Sequence, residues 1–349
     1  MEPKPVSVLI VDDSPIQQKL FTYLCKTDPG LLVIGVAGDG LQALAFIANR
    51  RPDVILMDIM MPVMDGYEAT RRIMETDPIP IIICSSSTQP GEIDKTFMAL
   101  DVGAVAFVKK PVGPGHPQFQ AEMAILMRTL KEMAGIKLVK RLRRKPSAGG
   151  RALTPAGSRQ GSRRPVGLVA MGASTGGPVA VQSILKNLPK EFPVPILIVQ
   201  HISSGFVQGL TEWLGSSTGF PVNVAGSGMT ILPGHVYLAP DDFHMGIKAD
   251  DTILLSLEPE ENGLRPAVSF LFRSVIGVYG ASAVGVLLTG MGNDGAEELK
   301  CMKDKGALTI VQDEESSVIH GMPGVAIRLG AATHVLPPEG ISELLASLV

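Results

Sequence analysis

Ser174 has the residue type and the surroundings of a catalytic nucleophile. It lies between Gly172 and Gly176 in GxSxG spacing, after the apolar run Val166–Met171 and before a helix-like segment. A serine at a sharp strand-to-helix turn exposes its hydroxyl, and N–H groups at a helix start favour developing negative charge. A phosphate-binding glycine loop also joins a strand to a helix, but these glycines do not follow GxGxxG and no P-loop lysine is present. The segment therefore favours a serine hydrolase over a nucleotide-binding domain.

A serine nucleophile needs a base and a carboxylate that orients the base. Of the six histidines, His201 directly follows an apolar run, Ile196–Gln200, and Asp294 comes shortly after another, Val284–Leu288. Carboxyl ends of parallel strands meet at one sheet edge, so we expect both side chains near Ser174. The alternatives are a hydrogen-bonded loop histidine and an aspartate that caps the next helix. The chain order Ser, His, Asp differs from that of α/β-hydrolases and predicts a different sheet topology.

Five polar groups of the first half also follow predicted strands. Asp12 and Asp13 follow the first strand, Asp58 the third, Ser85 the fourth and Lys110 the fifth. Crowded carboxylates at one sheet edge repel each other, and a hard cation such as Mg²⁺ relieves that repulsion. A hydroxyl and an ammonium would supply a donor and a counter-charge to a phosphoryl group on Asp58. The alternative for each aspartate is a helix cap.

Alternating strand-like and helix-like segments must position these groups. The remaining predicted strands are Val6–Val11, Leu31–Ala37, Val54–Met57, Ile79–Cys84, Val105–Val108 and Leu308–Val311. We expect Val236–Ala239 and Thr252–Leu257 to form an inserted hairpin. Strands that alternate with helices predict an α/β protein with doubly wound, mostly parallel sheets.

The length of 349 residues suits two domains. Between Ile136 and Arg164 the chain has ten Lys or Arg and no acidic residue, whereas the rest has 21 basic and 34 acidic side chains. Pro, Gly and Ser are frequent in that basic stretch, which is typical of a linker. We expect domains over residues 1–133 and 165–349, joined by a flexible basic linker over residues 134–164.

Composition excludes several classes of protein. No apolar run reaches the ~18 residues of a membrane helix, and no signal-peptide pattern is present, so we expect no membrane insertion. Three scattered cysteines indicate a reducing cytoplasm, and no Cys or His spacing predicts zinc. The basic stretch lacks a following recognition helix, so we expect no nucleic-acid partner.

The motifs of the first half resemble the response-regulator receiver family over residues 5 to 130. They are D-D-S at Asp12, D-I-M-M-P-V-M-D-G at Asp58, Ser85 and K-P at Lys110. The resemblance implies a flavodoxin-like fold in which Asp58 accepts a phosphoryl group from a histidine kinase.

The same resemblance implies further roles around Asp58. Mg²⁺ would bind Asp12, Asp13 and Asp58 together with the backbone carbonyl near Met60. Ser85 and Phe107 would form the switch pair, with Lys110 beside them. Phe107 fits a core aromatic equally well.

Residues 166 to 349 resemble the catalytic domain of the chemotaxis protein-glutamate methylesterases. The matching runs are G-A-S-T-G-G at Gly172, Q-H at Gln200, L-P-G-H-V-Y-L-A-P at Leu232, L-L-T-G-M-G-N-D-G-A at Leu287, and Q-D-E-E-S-S-V at Gln312 with G-M-P at Gly321. The resemblance implies a Rossmann-like fold with Ser174 as nucleophile, His201 as base and Asp294 as orienter. Thr175 and the Met291 backbone N–H would lie nearby as polar or oxyanion contacts.

Together the two resemblances imply a phosphorylation-activated serine hydrolase that demethylates chemoreceptor glutamates and also deamidates receptor glutamines. Its partners would be a histidine kinase and a methylated chemoreceptor, and the esterase would need no cofactor. The receiver would inhibit by covering the Ser174 cleft. The alternative is a response regulator whose output domain only binds.

The sequence departs from the methylesterase pattern at several positions. These departures are Ser203, Ser204, Val207, Asp241 and Ser269. We expect none of them to touch the triad and their effect to fall on receptor identity.

Overall fold

The computed structural model describes residues 4–86, 90–136 and 165–349. The elements of the first half are, in chain order, β1 (Val6–Val11), α1 (Pro15–Lys26), β2 (Leu31–Ala37), α2 (Gly40–Ile47), β3 (Val54–Asp58), α3 (Gly66–Thr76), β4 (Ile81–Ser85), α4 (Pro90–Asp101), β5 (Ala106–Lys109) and α5 (Phe119–Met133). Polar side chains start three of these helices, since Ser14, Asp39 and Asp65 each accept a hydrogen bond from a first-turn N–H group.

The five strands of the first half form one sheet in the order β2-β1-β3-β4-β5. Each pair of neighbours is parallel. β3 and β4 are buried along their whole length, which explains their continuous apolar sequence. This strand order is that of the flavodoxin-like fold, so the predicted fold class is confirmed.

The second half continues the alternation of strands and helices. Its elements are β6 (Leu168–Ala173), α6 (Gly177–Asn187), β7 (Ile196–Gln200), α7 (Val207–Thr218), β8 (Val222–Val224), β9 (Val236–Leu238), β10 (His244–Ile247), β11 (Ile253–Ser256), α8 (Val268–Tyr279), β12 (Ala283–Leu287), α9 (Ala296–Asp304), β13 (Leu308–Gln312), α10 (Met322–Arg328), β14 (His334–Leu336) and α11 (Pro338–Ala346). The second sheet has the order β14-β13-β12-β6-β7-β9-β8, and its neighbours are all parallel. The strands that precede Ser174, His201 and Asp294 are therefore neighbours, with β6 in the middle.

The predicted hairpin of Val236–Ala239 with Thr252–Leu257 is wrong. β9 instead pairs with β7 and β8 in the main sheet, and β11 pairs with β10 in an antiparallel ribbon. The side chains of β9 are all buried, so the strand completes the central core. Alternation along the chain shows that a strand forms but does not show its partner.

The two halves pack together through α4 and α7. The rings of Phe97 and Trp213 stack with centroids 5.4 Å apart. A Cβ added to Gly209 would lie 2.0 Å from Cγ2 of Ile93, so the missing side chain lets the two helices approach closely. Side chains from both halves therefore belong to one continuous apolar cluster.

Within the described ranges, we find no helix that combines the length and apolarity needed to cross a membrane. The predicted linker lies outside the described residues, apart from its first three residues, 134–136.

Candidate functional site

Ser174 lies in the turn between β6 and α6. Its backbone N–H donates to the carbonyl of Thr289 at 3.0 Å, and its carbonyl accepts from the N–H of Gly177 at 2.8 Å. Gly176 has φ +78°, a left-handed conformation that glycine adopts without strain. A Cβ on Gly290 would lie 2.6 Å from the Ser174 Cβ, so the neighbouring loop also needs a glycine for this close approach.

His201 and Asp294 meet beside this turn, as the strand-end rule predicts. Nε2 of His201 lies 2.9 Å from Oδ2 of Asp294. Only 10% of the His201 side chain and 2% of the Asp294 side chain are exposed. The contact is close, although the ring N–H does not point squarely at the oxygen, so Nε2 makes no well-aligned hydrogen bond. Nδ1 is then the ring nitrogen that remains for the serine hydroxyl.

Asp294 is held mainly by the first N–H groups of α8. Its Oδ2 accepts from Val268 at 2.7 Å and its Oδ1 from Ser269 at 3.0 Å. Burial raises the pKa of Asp294, but the close contact with His201 and the hydrogen bonds from Ser269 and Val268 outweigh it and leave the pKa below its ordinary value. The carboxylate therefore stays ionised beside the imidazole.

At this loop one alternative is excluded and one expectation is wrong. Asp294 does not cap the helix that follows it, because α9 begins after Gly295 without a side-chain cap and Asp294 binds the start of α8 instead. Ser269, one of the departures from the family pattern, does touch the triad through its N–H. Its hydroxyl also accepts from Gly295 and donates to Glu298 at 2.7 Å, so it braces the Asp294 loop.

Among the backbone N–H groups near Ser174, the two candidate oxyanion donors have no acceptor in the described chain. They belong to Thr175 and Met291, the residues that the sequence suggested as oxyanion contacts. The Thr175 carbonyl accepts from the Thr289 hydroxyl at 2.9 Å, and the Gly290 carbonyl accepts from Met322 at 2.9 Å. These bonds hold the two loops in place around the free donors.

A cavity of about 900 Å³ lies between the two halves and reaches Ser174. Its wall in the second half includes Thr175, His201 and Met291, and β5 and α5 supply much of its wall in the first half. Nη2 of Arg128 on α5 lies 3.0 Å from the sulfur of Met291. Side chains of the first half thus enclose the space in front of the candidate nucleophile.

The predicted acidic cluster forms at the carboxyl edge of the first sheet. Ligand oxygens of Asp12, Asp13 and Asp58 all lie within 4.8 Å of one another. Nζ of Lys110 lies 2.7 Å from Asp58 Oδ2 and 3.0 Å from Asp12 Oδ2. The latter contact is not aligned as a hydrogen bond, so this buried Asp12 oxygen has no hydrogen-bond partner. Helix capping does not explain these aspartates, since Ser14 and Asp65 cap the adjacent helices.

Electrostatics at Asp58 differ from those of an exposed aspartate. Burial raises its pKa to about 6, because it outweighs the opposing effects of Lys110 and of the Met60 N–H. Repulsion from Asp12 adds to the rise. Burial lowers the pKa of Lys110, but Asp58 and Asp12 together outweigh it and raise that pKa, so the ammonium is retained.

Ser85 and Phe107 lie on the neighbouring strands β4 and β5, and their side chains make different contacts. The Ser85 hydroxyl donates to Oε1 of Glu92 at 2.8 Å, and this α4 carboxylate is almost fully buried. Phe107 packs against Phe97 of α4 and against Phe206 of the second half, with centroids 5.4 and 4.8 Å apart. Both candidate switch residues thus contact α4, the helix that packs on α7.

Sequence reasoning missed two polar residues of these sites. Glu92 accepts from Ser85 and Ser86, and Gln200 donates to the carbonyls of Ser174 and His201. A signal existed for Gln200, since an amide at the end of an otherwise apolar strand needs a partner. No comparable signal marked Glu92, which looks like an ordinary first-turn helix residue.

Two protein families match the chain. The family described as CheB methylesterase matches residues 169–345, and the response regulator receiver domain family matches residues 8–122. Two relatives named protein-glutamate methylesterase/protein-glutamine glutaminase span nearly the whole chain. That of Nitrosospira multiformis is 48% identical over 99% of this chain and 97% of its own length. That of Geobacter metallireducens is 50% identical over 98% of this chain and 99% of its own length.

A crystal structure of the Thermotoga maritima CheB methylesterase catalytic domain resembles the second half. The two are 40% identical with a TM-score of 0.51, over 52% of this chain and 98% of that domain. This similarity and the parallel sheets confirm the predicted α/β fold.

Proposed function

The chain belongs to the CheB methylesterase family and carries a response regulator receiver domain, and we propose that Ser174, His201 and Asp294 carry out its esterase reaction. The observation that carries this proposal is the meeting of the three residues at the ends of adjacent parallel strands. A response regulator that only binds a partner would need no such triad. The family to which this chain belongs does not support that alternative.

The reaction is hydrolysis of a glutamate methyl ester on a chemoreceptor. The Ser174 oxygen attacks the ester carbon while Nδ1 of His201 takes its proton, and Asp294 stabilises the imidazolium. The N–H groups of Thr175 and Met291 bind the developing oxyanion. Methanol then leaves with the proton from His201, and water hydrolyses the acyl-enzyme to free the glutamate.

The same acyl-enzyme forms when a receptor glutamine replaces the ester, with ammonia as the leaving group. The names of the relatives include this glutaminase activity. We therefore expect one set of residues to serve both reactions.

A substitution of the nucleophile tests the assignment. Ser174→Ala should abolish methanol release from a methylated receptor fragment and labelling by a fluorophosphonate. Ser203→Ala is the matched control, because Ser203 lines the same cavity and should leave both signals nearly unchanged. Methanol release by the Ser174→Ala protein at the wild-type rate would disprove the triad.

The acidic cluster of the first half fits a phosphorylation site that uses Mg²⁺. Three converging carboxylates and a buried Asp12 oxygen without a hydrogen-bond partner suit a cation that prefers oxygen ligands. Asp12, Asp13, Asp58 and the Met60 carbonyl would hold the ion, which would neutralise charge on the incoming phosphoryl group. Asp58 accepts that group from a histidine kinase, and Lys110 and Ser85 bind its oxygens.

Docking of the receiver keeps the receptor away from Ser174 until Asp58 is phosphorylated. Support comes from the cavity walls, which the receiver completes, and from the tight contact of α4 with α7.

Gly209→Ala should strain that contact by about 1–3 kcal/mol and raise the basal esterase rate of the unphosphorylated chain about tenfold. Gly277→Ala is the control, since its added Cβ on α8 meets nothing within 4 Å. Equal basal rates in the two variants would contradict gating by docking.

The domain bounds follow from these assignments. The receiver spans residues 1–133, a basic linker spans 134–164, and the catalytic domain spans 165–349. The linker acts as a tether between two acidic domains in a cytoplasmic protein. Neutralising Arg141, Arg143 and Arg144 should then leave activation and its salt dependence unchanged.

A further inference from the structure

Gln200 connects the candidate nucleophile to the candidate base. It is the last residue of β7, and only 5% of it is exposed. Its amide nitrogen donates to the Ser174 carbonyl at 2.7 Å and to the His201 carbonyl at 2.8 Å. One buried side chain therefore binds the backbone of two triad residues.

The hydrogen bond from Gln200 to the Ser174 carbonyl also fixes the direction of the Thr175 N–H. The carbonyl of Ser174 and the N–H of Thr175 belong to one planar trans peptide unit and point in opposite directions. Gln200 and the Gly177 N–H hold the carbonyl end, at 2.7 and 2.8 Å. The Thr175 N–H, which has no acceptor in the described chain, is thereby turned away from Gln200.

Packing and electrostatics leave this amide a single orientation. A Cβ on Gly177 would lie 2.1 Å from Oε1 of Gln200, so the side chain fills the space beside that glycine. Rotation of the amide by half a turn would aim Oε1 at two carbonyl oxygens and lose both hydrogen bonds. In the present orientation Oε1 has no hydrogen-bond partner among the described residues, which is the cost of holding both carbonyls.

We propose that Gln200 is a positioning residue that keeps the Ser174–Thr175 peptide turned so that the Thr175 N–H can bind the oxyanion. The inference rests on the proposed role of Ser174. Without Gln200 only the Gly177 N–H holds the Ser174 carbonyl, so the peptide can rotate and the Thr175 N–H leaves the oxyanion position although the triad side chains remain. The effect falls on the transition state, because the charge that Thr175 binds is absent from the ground-state ester.

Two substitutions in the full chain, assayed in the phosphorylated state, test the inference. Gln200→Glu keeps the shape but offers only acceptors to two carbonyl oxygens, and Gln200→Met removes the donor without adding charge. Each should lower kcat for methanol release about 10²-fold with KM nearly unchanged, and slow fluorophosphonate labelling to a similar extent. The pH dependence of kcat in Gln200→Met should keep its wild-type midpoint, because the substitution adds no charge and leaves the contact between the His201 ring and Asp294 in place.

A matched control separates positioning from loss of stability. Thr309→Val removes a buried hydrogen bond of 2.6 Å to Ala331 near the start of β13, at the opposite edge of the sheet. It should lower the unfolding temperature as the Gln200 variants do, yet leave kcat unchanged. If one of the two Gln200 variants is too unstable to assay, the other is compared with Thr309→Val.

The outcomes distinguish this inference from the function on which it rests. Activity retained by Ser174→Ala would overturn the nucleophile itself. An inactive Ser174→Ala protein together with wild-type kcat in folded Gln200→Met would overturn only the role of Gln200. A rise in KM at constant kcat, or a shifted pH midpoint in Gln200→Met, would also overturn it.

Discussion

The two sites of the molecule treat a buried aspartate in opposite ways. Both Asp58 and Asp294 end up almost fully buried at the carboxyl edge of a parallel sheet, and burial raises the pKa of each. At Asp294 the hydrogen bonds outweigh burial, and the pKa falls below its ordinary value. At Asp58 burial outweighs Lys110, with repulsion from Asp12 in addition, and the pKa rises to about 6.

The difference corresponds to two kinds of work. Asp294 only has to stay charged and hold an imidazole, so each of its oxygens accepts a backbone N–H. Asp58 has to react with a phosphoryl group and bind a cation, and it accepts only one backbone N–H, from Met60 at 3.4 Å, while its other oxygen pairs with Lys110. A carboxylate with few backbone hydrogen bonds can still accept new ligands, whereas one whose two oxygens both accept backbone N–H groups is held in a fixed position.

The largest expected effect tests the support role of Asp294. Asp294→Asn keeps the size of the side chain but removes the charge that stabilises the imidazolium, so kcat should fall about 10³-fold. Methanol release by the phosphorylated chain measures it. Asp58→Asn, assayed with a small ester, should leave the chemistry at Ser174 intact. A loss of less than tenfold in Asp294→Asn would remove the distinction between the two aspartates.

A smaller effect tests the shortage of partners at the receiver site. Lys110→Ala leaves Asp12 and Asp58 without their shared cation, so the free energy of unfolding at pH 7 should fall by about 3 kcal/mol. Mg²⁺ should restore part of this loss and stabilise the variant more than the wild type. Thermal unfolding with and without Mg²⁺ gives the comparison, and an equal response to Mg²⁺ in both proteins would contradict it.

The smallest effect concerns Glu92, which resembles Asp294 although it lies in the receiver. Burial raises the pKa of Glu92, but the hydrogen bonds from Ser86 and Ser85 together lower it by more. The pKa of Glu92 therefore lies below its ordinary value. A carboxylate with a lowered folded pKa adds stability above its unfolded pKa, and this stability is lost as the pH falls through the folded value.

Glu92→Gln should therefore cost about 1 kcal/mol at pH 7, with the difference from wild type shrinking below the ordinary glutamate pKa and vanishing below the lowered pKa of the folded state. Denaturant unfolding at a series of pH values measures the trend. A difference that stays constant with pH would show that the charge of Glu92 contributes nothing.

Much of the architecture could be predicted from the sequence because the signals for strands and helices lie within short segments of the chain. Apolar runs bounded by polar residues gave β1, β2 and β7 with the bounds that the structure has. The strand-end rule then placed the acidic cluster and the triad without any knowledge of contacts. The hairpin predicted for β9 is wrong, and Asp294 binds the start of α8 rather than capping α9, because both contacts depend on residues far along the chain.

The sequence by itself determined which groups can react, since residue type and position after a strand are set by neighbours along the chain. The tertiary structure alone decided which strands became neighbours, that α4 packs on α7, and that Gln200 spans Ser174 and His201. These contacts join residues that are distant in sequence, and their stability comes from burial and hydrogen bonds that exist only once both partners are folded. The chemistry can therefore be predicted from a short motif, whereas its alignment and control depend on the packed chain.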